Sequence, residues 1–319
     1  MKADAPSINP VQTMWWHLYV PKMVTVLREG YGRREFRDDV LAGLTVAIVA
    51  IPLSMALAIA SGATPDKGLI TVVVAGFLIS LLSGCRYQIG GPAGAFVVIV
   101  FGIIDKQGYD GLVLATLMAG AMMVAGGFAR LGDWIKYIPQ PVITGFTSGI
   151  ALIIFSSQIG DLFGLTTGKV PGDVVGKWIT YWHGHGTFKP SAVAVSAGSL
   201  AIIILLRRYA PKWPALLIAI VIASLAAWAL KLPIATIGSV FGGIPNTLPA
   251  PHWPVVTWER IQHLFPSALT IAFLSGLESL LCAVVADGMT GRRHRSNCEL
   301  VGQGVANFAS ALFGGMPAT

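Results

Sequence analysis

Charge is scarce in this chain of 319 residues: Asp, Glu, Lys and Arg make up 12%, against 54% hydrophobic residues and a mean hydropathy of +0.70. Cysteine is nearly absent. Cys85, Cys282 and Cys298 have no C-x-x-C spacing, and an odd count in apolar or cytoplasmic positions excludes a disulfide framework and a zinc site. His183 and His185 form a short run, but two ligands are too few for a metal, so no metal and no cofactor are expected. No Gly-Lys-Ser/Thr follows the Gly90–Gly94 stretch, which excludes a phosphate-binding P-loop. The apolar spans bring together no His, Asp and Ser set, so the chain is not read as an enzyme. Met1 to Asp39 lacks the short apolar core and small-residue cleavage site of a signal peptide.

What the chain does have is long apolar runs. A helix needs about 20 residues to cross the hydrocarbon, and about eight runs approach that length. They are 40–60, 69–83, 112–128, 142–159, 192–206, 215–230, 266–286 and 301–313. A ninth, 95–104, reaches only halfway. The net charge of +7 does not mark a nucleic-acid binder, because the basic residues alternate with the loops and form no single face. If the segment with Lys22, Arg28, Arg33, Arg34 and Arg37 is cytoplasmic, then Arg86, Arg130, Lys136, Arg207, Arg208, Lys212, Arg292, Arg293 and Arg295 fall on the same side. With Lys2 that side holds 15 of the 22 basic residues, as the positive-inside rule requires. The opposite side, with Lys67, Lys106, Lys169, Lys177, Lys189, Lys231 and Arg260 among acids such as Asp66, Asp161 and Asp173, is near neutral. Trp15, Trp16, Tyr19 and Val20 suggest a helix lying at the inner interface.

Two helix breaks stand at corresponding places. Gly90-Gly91-Pro92-Ala93-Gly94 follows the second apolar run, and Gly314-Gly315-Met316-Pro317-Ala318-Thr319 follows the last. A shift of 225 residues superposes Leu53 on Glu278 and Pro92 on Pro317, and the loop assignment makes the two copies inverted in the membrane. Irregular backbone is tolerated in hydrocarbon only where protein buries it or it lines a cavity. The paired breaks therefore point to a transporter with a mid-membrane site, where a helix starting after each break would aim free N–H groups at an anion. Pro92 fits such a start, because the N–H it lacks would be unpaired anyway. Phe96 would be a wall of the site or face lipid. Pro52, with Ser54 beyond it, is expected to interrupt and kink the first span. Glu278 is the single acid read as lying within an apolar span, a costly position that marks a candidate proton carrier. Ser275 and Cys282 share its helical face.

Together these features resemble the SulP anion-transporter family, bacterial relatives of solute carrier family 26. The resemblance rests on Asp39 to Val46 leading into Ile51-Pro52, on Gly91-Pro92, on Ile138-Pro139 with Val142, and on Gly145 to Gly149. It continues with Gly276-Leu277-Glu278-Ser279, Asp287 to Gly291, Asn297, Glu299-Leu300, Gly302-Gln303-Gly304 and Asn307. Through Glu278 to Val285 it is most similar to members that carry four-carbon dicarboxylates.

The resemblance implies an all-α polytopic membrane protein built as a seven-plus-seven inverted repeat with half-helices, here ending after about nine spans, with the remaining spans and a cytoplasmic STAS domain absent. It implies a cytoplasmic segment (1–38), core-domain parts (39–130 and 261–319) and a gate-domain part (131–260). It further implies substrate contacts at Pro52, Leu53, Pro92, Ala93, Gly94, Ala95, Phe96 and Thr319, and a coupling ion at Glu278 and Cys282. Where many members carry Gln after the first-span proline, this chain has Leu53. A thiol is a poor ligand for a hard cation, so Cys282 favours protons over sodium. The expected activity is proton-coupled symport of a small dicarboxylate across the bacterial inner membrane by alternating access, in a homodimer with a cytoplasmic N-terminus. Sulfate or bicarbonate transport, and an uncoupled exchanger or channel, are the alternatives.

Overall fold

The computed structural model describes residues 15–319 except 138, 169, 212 and 244–246. Lys2, Ile138, Lys169 and Lys212 lie outside the described residues, as do the side chains of Trp15, Trp16, Lys136 and Phe146. Helices follow one another from end to end: α1 (Lys22–Gly30), α2 (Arg33–Ala60), α3 (Pro65–Leu82), α4 (Val97–Phe128), α5 (Gln140–Phe163), α6 (Val174–His183), α7 (Pro190–Tyr209), α8 (Ala215–Ala229), α9 (Ile237–Phe241), α10 (Trp258–Thr290) and α11 (Ser296–Leu312). Pro in the first turn starts α3, α5 and α7, where its missing N–H has no helical partner to lose. Gly164 and Gly291 end α5 and α10 in the left-handed conformation.

Helix α4 is two helices in one. Gly108, at φ 70° and ψ 179°, breaks it into a half-length piece, 97–107, and a full span, 109–128. The first piece carries Phe101 against Gly62 and Gly172. The second returns across the bundle to end beside Tyr19, whose hydroxyl donates to the Gly127 and Phe128 carbonyls at 3.3 and 3.2 Å. The short 95–104 run and the 112–128 run of the sequence are thus one half-helix and one crossing.

The packed body is α3, α4, α10 and α11. Gly120 and Gly304 let α4 and α11 cross in backbone contact, since a Cβ on either would lie 2.6–2.7 Å from the other's carbonyl oxygen. Around that crossing Phe96, Val100, Leu112, Leu264, Ile271 and Met316 form the main core. Helices α7 and α8 lie outside it. Among the described residues α7 buries none, and Leu200, Ile204, Ile220 and Leu225 are exposed, a surface suited to lipid.

The two copies run in opposite directions. Helix α2 begins near the N-terminal segment and ends beside Phe101. Helix α10 begins where Arg260 meets Asp110 at 3.7 Å and ends near Arg295, which donates to Val20 O and Thr25 Oγ1 at 2.7 and 2.8 Å.

Two expectations change. Helix α2 continues through Pro52 without a break, and Ser54 Oγ donates to Ile51 O at 2.9 Å. The aromatic cluster does not form an α-helix; the α-helix begins after it, as α1 at Lys22. Residues 15–19 form a short 3-10 turn that leans on the bundle through Tyr19 and Phe128, with ring centroids 5.2 Å apart.

Candidate functional site

Both breaks leave the helical ladder at the middle of the body, and they meet there. Gly91 N donates to Thr319 O at 2.9 Å, and Thr319 N donates to Gly91 O at 3.0 Å. Pro92 and Ala318 form an antiparallel bridge. The shift of 225 residues that maps Pro92 onto Pro317 maps Ala93 onto Ala318, so the bridge joins corresponding stretches of the two copies, as a two-fold axis between them allows.

Beyond the bridge the first break opens a helix. A single 3-10 turn, Gly94–Phe96, leads into 97–107. Among the described residues the Gly94 and Ala95 amides have no acceptor, while Phe96 N donates to Ala93 O at 3.2 Å. Two unpaired N–H groups at a helix start, with the partial positive charge of its dipole, can hold an anion. Pro92, Ala93 and Gly94 are partly exposed. Ala95 and Phe96 are buried, so the Phe96 ring, 1% exposed, is core and faces neither lipid nor an open site. A Cβ on Gly94 would overlap Ile154 of α5, so α5 packs closely against this turn.

The second break is clamped by side chains. Ala318 O accepts from Ser275 Oγ (2.8 Å), Gln303 Nε2 (2.7 Å) and Asn307 Nδ2 (2.9 Å), and Ala318 N donates to Asn307 Oδ1 (2.8 Å). Met316 N donates to Thr71 Oγ1 at 2.7 Å, Ser310 Oγ to Met316 O at 3.1 Å, and Tyr109 OH to Gly314 O at 2.8 Å. An unpaired backbone group in hydrocarbon costs several kcal/mol. This polar set, fully buried on α3, α10 and α11 and completed by the partly buried Tyr109 of α4, is what allows the backbone to leave the helix there.

Glu278 joins the breaks. Its carboxylate lies beside the Thr319 side chain, and its Oε2 is buried with no partner among the described residues. Gln303 Oε1 is a second buried oxygen without one. The carboxyl therefore faces the broken backbone. Ser275, expected as its neighbour, spends its hydroxyl on Ala318 O. Cys282, one turn on, is exposed, and so is Leu53 on α2.

Glu278 keeps part of its surface exposed, and a second acid is fully buried. Helix α11 starts earlier than the apolar run, at Ser296, and encloses Glu299 at 0% exposure. Glu299 accepts from Ser279 Oγ at 2.8 Å, from the Cys85 amide at 3.1 Å and from Ser83 Oγ. Gln88 Nε2 donates in turn to Ser279 Oγ at 3.0 Å. This cluster ties the start of the first break to α10 and α11. Glu299 next to an apolar run was the available signal.

Comparison with known proteins gives the family and the fold. Residues 36–319 match the model of the sulfate permease family. The chain is 47% identical over 293 residues to the Bacillus subtilis protein named "Putative sulfate transporter YvdB", covering 91% of this chain and 55% of that protein. It is 31% identical to the bicarbonate transporter BicA of Picosynechococcus sp., covering 89% and 51%. The chain spans about half the length of the curated relatives it matches. Among solved structures, the transmembrane domain of a cyanobacterial BicA superposes with a TM-score of 0.77 at 29% identity, covering 91% of this chain and 75% of that one. The structure titled "The overall structure of SLC26A9" shares the fold, with a TM-score of 0.81 at 20% identity, over 95% of this chain and 51% of that one.

Proposed function

The chain belongs to the sulfate permease family, and from that premise we propose that it forms the anion-binding part of a secondary transporter for a small inorganic oxyanion, sulfate or bicarbonate. The observation that carries this reading is the pair of unpaired amides, Gly94 and Ala95, at one break, with the Glu278 carboxyl beside Thr319 at the other. The dicarboxylate expected from the sequence gives way, because the relatives are named for sulfate and bicarbonate. The half-helix amides contribute the charge complement, and Pro92 and Ala93 shape the backbone around them. Glu278 carries the coupling proton. Its unpartnered oxygen would otherwise stay buried and charged, so the carrier turns over when the carboxyl is protonated.

The test is uptake of labelled sulfate and bicarbonate by the full-length parent in proteoliposomes, with an imposed pH gradient and, separately, a sodium gradient. Saturable uptake of one of them that follows the pH gradient, and loses that dependence in Glu278→Gln, is the expected result. Uptake of neither anion overturns the oxyanion reading. Gradient-driven accumulation that survives Glu278→Gln removes that carboxyl from coupling.

A further inference from the structure

Helix α5 packs against Gly94 through Ile150 and Ile154, and farther along it Ser157, Gln158 and Asp161 line a cavity of about 360 Å³. The other walls are Ala56, Ile59 and Ala60 at the end of α2, Phe101 of the half-helix, and Lys177 and Tyr181 of α6. The cavity is at the end of the bundle opposite the N-terminal segment, because α2 reaches it only with its last turn. From residue 154 to 161 is about 10 Å at helical rise, so it sits roughly two turns beyond the amides. Phe101, packed against Gly62 and Gly172, stands between.

Lys177 is the unusual wall residue. It is 4% exposed, and among the described residues it has no carboxylate within ion-pair distance. Its Nζ donates to Ser157 Oγ at 2.6 Å, and the Ser157 hydroxyl is itself committed to Ile153 O at 2.9 Å. An ammonium has three protons, and one is used. Asp173, nearest along α6, spends its carboxylate capping the helix at Gly176 N, 2.6 Å away. Burial lowers the Lys177 pKa from the usual lysine value, with Asp173 opposing. Asp161 lines the same cavity and Asp173 lies nearby, but neither is within ion-pair distance of Lys177, and a buried cation left so is costly unless a charge of opposite sign visits it.

We propose that this cavity is an outer anion subsite, in which Lys177 holds an oxyanion on its way to the Gly94 and Ala95 amides. The subsite rests on the transport reading above. It takes small oxyanions with at least two acceptor oxygens, and the hydroxyls of Thr167 and Tyr181 are at hand as further donors. Ile154, Ile150 and Phe101 separate it from the inner amides, so an anion waits there until α5 moves off the half-helix.

The experiment measures uptake of labelled sulfate and labelled bicarbonate by the full-length parent in membrane vesicles of both orientations. For whichever anion the parent carries, Lys177→Met raises the half-saturating concentration from the cavity side about tenfold, the loss of one charge-assisted hydrogen bond. From the N-terminal-segment side it leaves that concentration unchanged. Lys177→Arg stays near the parent, and so does Ser157→Ala, which removes the tether and keeps the charge. Lys177→Gln, which keeps a neutral donor, repeats the Lys177→Met result if that variant fails to fold. An unchanged half-saturation in Lys177→Met, an equal rise from both sides, or a Ser157→Ala variant that reproduces the loss overturns the subsite. A parent that takes up neither anion overturns the oxyanion reading instead.

Discussion

The break at 83–93 and the break at 313–319 leave the helix at equivalent places and satisfy their backbones by different means. In the second, Thr71, Tyr109, Ser275, Gln303, Asn307 and Ser310 hold the Gly314 C=O and both backbone groups of Met316 and Ala318. In the first, Ser83 and Glu299 fix only the beginning, and the bridge to Ala318 and Thr319 fixes the middle. Its end leaves the Gly94 and Ala95 amides without an acceptor. One break is a rigid clamp, and the other leans on it and keeps two donors open. A site built this way is preorganised for an anion, since the donors need not be pulled from other partners when the solute arrives.

The contrast predicts that substitutions at the clamp act on stability and those at the open end act on transport. Asn307→Leu should be the most damaging, since it orphans the buried N–H of Ala318, at about 1–3 kcal/mol, and removes one of the three bonds to its C=O. Thermal unfolding in detergent measures this, and a variant as stable as the parent breaks the clamp idea. Glu299→Gln comes next, at about 2 kcal/mol, because three donors lose their charged acceptor. Thr71→Val, which removes one acceptor from Met316 N, should cost about 1 kcal/mol in the same assay. Gly94→Ala should leave unfolding nearly unchanged, because the methyl meets the movable end of Ile154, yet it covers the open amides. Its mark is a raised half-saturating anion concentration, and unaltered uptake would show that the amides are not the site. The smallest effect on stability belongs to Glu278→Gln, within about 0.5 kcal/mol, since the lost oxygen has no partner to abandon. A large destabilisation there would make Glu278 a second clamp and erase the distinction between the two acids.

Much of this arrangement was legible in the chain. The apolar runs gave the spans, because a helix in lipid must be apolar along a fixed length. The Gly-Pro pairs 225 residues apart gave the repeat, and Glu278 stood out as an acid in an apolar run. Glu299, Gln303 and Asn307 were visible only as members of a family pattern. On α11 they resemble an ordinary polar face, and their partners Ser83, Ser279 and Ala318 come from other elements. Lys177 read as one more loop charge on the near-neutral side. Its burial against Ser157 depends on how α6 folds onto α5. Pro52 misled in the other direction, since a proline can be carried inside a helix that neighbours support.

The sequence by itself determined where the chain crosses the membrane, where its helices break and which half repeats the other, because each follows from local composition and from what hydrocarbon excludes. Only the tertiary structure decided which backbone groups stay open. Every amide in the two breaks starts with the same need for a partner, and the distant side chains that reach Ala318 but not Gly94 or Ala95 make one break a clamp and the other a candidate binding site.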